Sequence, residues 1–306
     1  MLSRPFQFDE TKYYRFGMMV GLKNLLHGGM RLGPKKTAGK LLQPINSYTR
    51  FPEYWFVGSE IENFLRSFPV GRCTILDVGS PKCFGLYLAF HSNVEIDLTD
   101  IDDPSVRESE TLWNAIARSA KGKARFSVQD ARSLKYPDQA FDVVYSMSVI
   151  EHVEGESGDS ESMKEMLRVL KPKGLLVVTV PMGCEYVEQH RLGLAASARQ
   201  TGDQQRYFFQ RIYTPPTAQE RVVQVSPEAT LTKAITVGRN DGPLIALYRR
   251  FGTKLRALCG CFNPLLSAAI NHSQDGILPV ASRYGALHDE NDFYGDLMLS
   301  FRKSDC

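Results

Sequence analysis

Carboxylates gather where short apolar runs end. Asp97, Asp100, Asp102 and Asp103 crowd the end of the alternating run Val94–Thr99, and Asp130 follows the run Arg125–Val128. A further run, Cys73–Val78, ends at Gly79-Ser80-Pro81. A glycine at such a point lets the backbone turn sharply and approach a ligand closely. Asp100 stands about 20 positions beyond Gly79, a spacing at which a carboxylate can accept hydrogen bonds from a ribose diol. Its acidic neighbours leave the register open among the four. Singly, each of these acids also suits a helix N-cap or a solvated loop.

The elements that must position these residues form a clear rhythm. Cys73–Val78, Val94–Thr99, Arg125–Val128, Phe141–Tyr145 and Leu175–Val180 are strand-like. Phe84–Phe90, residues 106–120 and Ser162–Leu170 between them have helical composition, and Lys171-Pro172-Lys173-Gly174 stops the last of these. Alternating strands and helices imply βαβ units and a mostly parallel sheet covered on both faces. Leu175–Val180, apolar at nearly every position, suits a central strand. Ligands of such sheets bind beyond the carboxyl ends of the strands, where the unusual polar residues fall.

The constellation resembles the class I S-adenosylmethionine-dependent methyltransferases, in particular their small-molecule branch. The resemblance covers roughly residues 70–181. Ile75-Leu-Asp-Val-Gly79 resembles the first motif, Asp100-Ile101 the second-strand acid and its apolar neighbour, and Asp130-Ala131 the adenine-binding turn. Phe141–Val153 and Met166–Pro181 are similar to the fourth and fifth strands with their flanking helices. The resemblance implies an α/β, Rossmann-like, doubly wound, mostly parallel seven-stranded sheet with an antiparallel last strand. It also implies S-adenosyl-L-methionine as cofactor, held by Asp77, Gly79, Ser80, Asp100, Ile101, Asp130, Ala131, Ser146 and Met147. One departure stands out: Gly79 is kept, but the following alternate positions are Pro81 and Cys83, so the loop must be shaped differently around the methionine part of the cofactor.

Around this core the chain divides into an N-terminal helical cap (1–70), a core (71–239), a helical insertion or lid (240–291) and a final strand (292–306). Ala229–Val237 is expected as the sixth strand, Tyr294–Arg302 as the seventh, and Thr217–Val225 as a helix. Leu244, Leu247, Tyr248, Phe251, Leu255 and Leu258 share one helical face flanked by Arg249, Arg250, Lys254 and Arg256. Met18, Leu22, Leu25 and Leu26 form a weaker stripe. Such basic amphipathic helices suit a membrane surface, an active-site lid or a homodimer contact.

Methyl transfer is an in-line displacement, for which orientation supplies roughly 7–11 kcal/mol. A base adds typically 10²–10⁴-fold where the acceptor must lose a proton. His152, just past the fourth strand, and His190, after the fifth, are the candidate catalytic bases. Tyr54, Trp55, Arg211 and Tyr213 are the candidate acceptor contacts, with core packing as the competing role for the aromatics.

Composition narrows the setting. Apolar residues are 43% and charged residues 23% of the 306, ordinary globular values. The net charge of +3, from 37 basic and 34 acidic residues, does not by itself favour nucleic acid. No apolar run approaches the roughly 18–20 residues of a membrane span. The six cysteines, 73, 83, 184, 259, 261 and 306, form no zinc pattern, and no metal is expected. With no secretory signal read at the N-terminus, the expected setting is cytoplasmic. The function expected is methyl transfer to oxygen or nitrogen of a small molecule, in secondary or cell-envelope metabolism. The alternatives are a non-catalytic binding subunit of the same fold, an RNA or lipid-linked acceptor, or another reaction on this fold.

Overall fold

A computed structural model describes residues 9–28, 50–69, 71–193, 205–225, 227–239, 271–278 and 295–305. Helices α1 (Glu10–Gly28) and α2 (Phe51–Ser67) precede the sheet. Then come β1 (Cys73–Val78), α3 (Lys82–His91), β2 (Val94–Asp100), α4 (Asp103–Asn114) and β3 (Lys123–Val128). β4 (Phe141–Met147), α5 (Gly158–Val169) and β5 (Leu170–Met182) complete the parallel half. A hairpin of β6 (Val187–Gly193) and β7 (Gln205–Ile212) leads to α6 (Pro215–Ala218), which a π-helical turn, Gln219–Val223, extends. The chain ends in β8 (Ala229–Arg239), β9 (Asn271–Asp275) and β10 (Gly295–Lys303).

The main sheet has the order β3-β2-β1-β4-β5-β10-β8-β9. The first five of these pair in parallel, and β10 lies antiparallel between β5 and β8. Adjacent residues on one strand face opposite layers. Ile75, Val143 and Val177 join α1, α3 and α4 in one core, whereas Leu76, Val144 and Val178 join α5 in the other. Burial on both faces explains why the central strands read as continuous apolar runs.

The structure corrects two expectations. The sheet has eight strands rather than seven, because β9 adds an antiparallel edge to β8. β9 lies inside the stretch read as helical (240–291), so that reading fails at 271–275; the amphipathic run 244–258 lies outside the described residues. On α1 the residues of the expected aliphatic stripe that are described lie on the outer face. Tyr13, Phe16 and Val20 are buried, while Met18 is 44% and Leu22 51% exposed; the side chains of Leu25 and Leu26 lie outside the described set. Aromatic shape decides this face, since Tyr13 packs 4.9 Å from Tyr54 and 5.4 Å from Tyr87, ring to ring. The Lys171–Gly174 stop falls at the irregular start of β5, where Lys173 takes φ +61°. Among the described residues no helix is long and apolar enough to cross a membrane.

Candidate functional site

The carboxyl ends of β1, β2 and β4 enclose a cavity of about 280 Å³. Gly79, Ser80, Lys82 and Cys83 line one side, Asp100 another, and Met147 and Ser148 a third; Gly17 and Val20 of α1, with Arg50, wall it off.

The turn after β1 is fixed from several directions. Gly79 has φ +72°, and a Cβ there would lie 2.6 Å from Val149 Cγ1. Glycine is therefore required both by conformation and by the close approach of the next loop. Its N–H donates to Thr99 O at 3.0 Å. Asp77 is fully buried and accepts from Ser80 N at 2.9 Å and Tyr145 OH at 2.8 Å. Burial pushes the Asp77 carboxyl above its ordinary pKa, against the opposing pull of Lys82. Ser80 Oγ accepts from Met147 N at 2.9 Å, and Ser146 Oγ donates to Val78 O at 3.0 Å. Asp77, Ser80 and Ser146 thus brace the ends of β1 and β4, while Gly79, Ser80 and Met147 reach the cavity.

Three of the four competing acids have other occupations. Asp97 is paired with Arg125 at 2.7 Å, Asp102 caps α4 by accepting from Ser105 N at 3.1 Å, and Asp103 pairs with Arg107 at 2.7 Å. Asp100 alone of the four lines the cavity. Its Oδ1 accepts from Asp102 N at 3.1 Å, and its Oδ2 lies 3.4 Å from Lys82 Nζ. Ile101 is 64% exposed beside it. Asp130 and Ala131 are not among the lining residues. Arg132 clasps Asp130 through Nη2 at 2.7 Å and its own N–H at 2.9 Å, which holds the carboxyl below the usual range.

The two histidines are not brought together. His152 Nδ1 lies 2.5 Å from Phe209 O. A carbonyl only accepts, so Nδ1 carries the proton and Nε2 the lone pair. Nε2 lies 3.6 Å from Glu151 Oε1, and burial lowers the His152 pKa. His190 is exposed on β6, edge-on to Phe208.

The expected acceptor contacts are mostly structural. Tyr54 is buried and stacked on Phe84, with its phenol pushed up to about 12 by burial. Trp55, one residue on, points outward at 46% exposure. Arg211 is fully buried and donates to Val153 O at 2.7 Å and to Gly155 O, clamping the chain between β4 and α5. Tyr213 is buried and donates to Asp159 at 2.8 Å.

Sequence reasoning overlooked the most constrained groups. Glu53 is 1% exposed and accepts from Arg50 at 3.0 Å, from Thr179 Oγ1 at 2.8 Å and from Ser148 Oγ. Ser148 sits in the left-handed region at φ +49°, a conformation that non-glycine residues keep only where surroundings enforce it. Glu151 is 1% exposed, and its Oε2 has no hydrogen-bond partner. The available signal was a lone acid in an apolar run: Glu53 within Phe51–Phe56, Glu151 after Val149-Ile150.

A family profile described as a methyltransferase domain matches residues 76–178, about a third of the chain. Among curated proteins, a tRNA (carboxymethyluridine(34)-5-O)-methyltransferase of Arabidopsis thaliana is 28% identical, over 48% of this chain and 36% of its own length. A 2-methyl-6-phytyl-1,4-hydroquinone methyltransferase of Synechocystis is 46% identical over 18% of this chain and 16% of its own length. The chain thus spans about a third or less of these relatives. A solved S-adenosylmethionine-dependent methyltransferase of Methanosarcina mazei is 17% identical with a TM-score of 0.49, covering 79% of this chain and 97% of that one.

Proposed function

We propose that this chain transfers a methyl group from S-adenosylmethionine to oxygen or nitrogen of a small-molecule acceptor. The carrying observation is the walled cavity at the ends of β1, β2 and β4, in which Asp100 is the one lining carboxylate of the four near β2. The donor set fits the cofactor. Asp100 lines the cavity and can accept from a ribose hydroxyl, and Gly79 lets backbone come close without a side chain between. When bound, S-adenosylmethionine supplies an electrophilic methyl on a sulfonium.

The protein's own share is orientation and exclusion of water. Gly17 and Val20 of α1 close one wall, and Arg50 and Ser148, tied together through Glu53, fix another. His152 takes the acceptor's proton where the acceptor must lose one. Its Nδ1–H is committed to Phe209 O, so Nε2 is the basic atom. The enclosure by α1 supports a small acceptor over a polymer. Among the described residues Cys73 and Cys184 form no disulfide, which supports a reducing, cytoplasmic setting.

The test is transfer of labelled methyl from S-adenosylmethionine into a cell extract separated into small-molecule, RNA and protein fractions. Label in the small-molecule fraction, reduced by Asp100→Ala at limiting cofactor, supports the reading. Label confined to RNA or protein overturns it.

A further inference from the structure

A buried cation, Lys82, stands in the turn that follows β1. Lys82 is 8% exposed and lines the cavity. Its Nζ donates to Ser80 O at 2.7 Å and lies 3.4 Å from both Asp77 Oδ1 and Asp100 Oδ2. It is also the first residue of α3, and the N-terminal end of a helix disfavours a cation. Neither burial nor helix position explains a lysine here. The two carboxylates make it tolerable, and in return it neutralises one of their two charges.

We infer that Lys82 sets the charge preference of the cofactor cavity, shifting it from the cationic sulfonium toward the neutral thioether product. This rests on the cofactor reading above. The physical ground is the small volume: a compact space of about 280 Å³ is no wider than roughly one Debye length. An ammonium in its wall therefore acts on any charge held inside. S-adenosylmethionine and S-adenosylhomocysteine share the adenosine and amino-acid parts and differ by the methyl and its positive charge. Any contact Lys82 makes to the shared parts cancels in the ratio of their affinities, and the charge effect remains. With Lys82 present, the triad Asp77–Lys82–Asp100 carries one net negative charge when both acids are ionised. Without it the triad carries two, and the cation gains. The consequence for function is a site that responds to accumulating product.

The experiment is calorimetric titration of both ligands into wild type, Lys82→Met, Lys82→Gln and Lys82→Arg. Wild type is expected to bind both ligands, and the ratio of their affinities sets the reference. The Met and Gln variants should shift the affinity ratio toward S-adenosylmethionine by about fivefold or more, and Arg should keep the wild-type ratio. An unchanged ratio in Met and Gln overturns the inference. So does loss of both ligands from variants whose circular dichroism matches wild type, since Lys82 would then hold a part the ligands share. Failure of wild type to bind either ligand is a different result and contradicts the cofactor reading itself.

Discussion

Glu53, on the helix that precedes the sheet, accepts a hydrogen bond at 2.8 Å from the hydroxyl of Thr179, 126 residues away on the central strand β5. The same carboxylate receives Ser148 Oγ at the end of β4 and Arg50 from its own helix. One buried side chain thereby joins the N-terminal cap to strand β5 and to Ser148, which lines the cavity at the end of β4.

Replacing Glu53 by Ala strands two hydroxyls and one guanidinium. Breaking a buried charged network in this way costs about 3–5 kcal/mol, and chemical denaturation should show a loss of that order. Glu53→Gln keeps the shape and some hydrogen bonds, and should lose clearly less. Equal losses for Ala and Gln would mean that the charge, not the connections, is what the site needs.

Gly79→Ala places a Cβ at φ +72° and 2.6 Å from Val149 Cγ1. The strain should destabilise by about 1–3 kcal/mol. Adding Val149→Ala should recover the steric part and leave the conformational part, a separation read from the two melting curves.

Asp100→Ala should weaken cofactor binding by about 1–3 kcal/mol through lost hydrogen bonds, with the fold intact. Asp97→Ala and Asp103→Ala should leave affinity unchanged, since those carboxylates serve Arg125 and Arg107. Calorimetry on the three variants separates them, and a loss at Asp97 with none at Asp100 would reassign the ribose acid.

Glu151 carries a pH signature. Burial raises its carboxyl well above the ordinary value of 4.5, with Glu53 and Asp296 adding to the shift and Arg50 opposing it. The folded state keeps a proton that the unfolded state releases near 4.5, so this group's contribution to stability falls as pH rises above that point. Glu151→Gln should therefore be more stable than wild type at neutral pH, with the gain shrinking toward pH 4. Denaturation midpoints across that range check it, and a gain that grows toward acid would reverse the assignment.

The strands and the cofactor-facing turn were legible because apolar runs and breakers act locally. Ile75–Gly79 and Leu175–Val180 read the same alone as in the sheet. Asp100 could be placed only among its neighbours, because which of four acids faces inward depends on ion pairs across the β2–β3 register. Lys82, Glu53 and Arg50 carried no spacing signal; their roles arise from partners brought close by the fold. The buried face of α1 had no aliphatic signal, because tyrosine and phenylalanine, packing ring on ring, make the contact.

The most direct test of the account is calorimetric titration of S-adenosylhomocysteine into wild type and Asp100→Ala. Micromolar binding to wild type, weakened about tenfold or more in the variant, is the predicted result. Absence of binding to wild type at millimolar ligand would contradict the cofactor site and the methyl-transfer function with it.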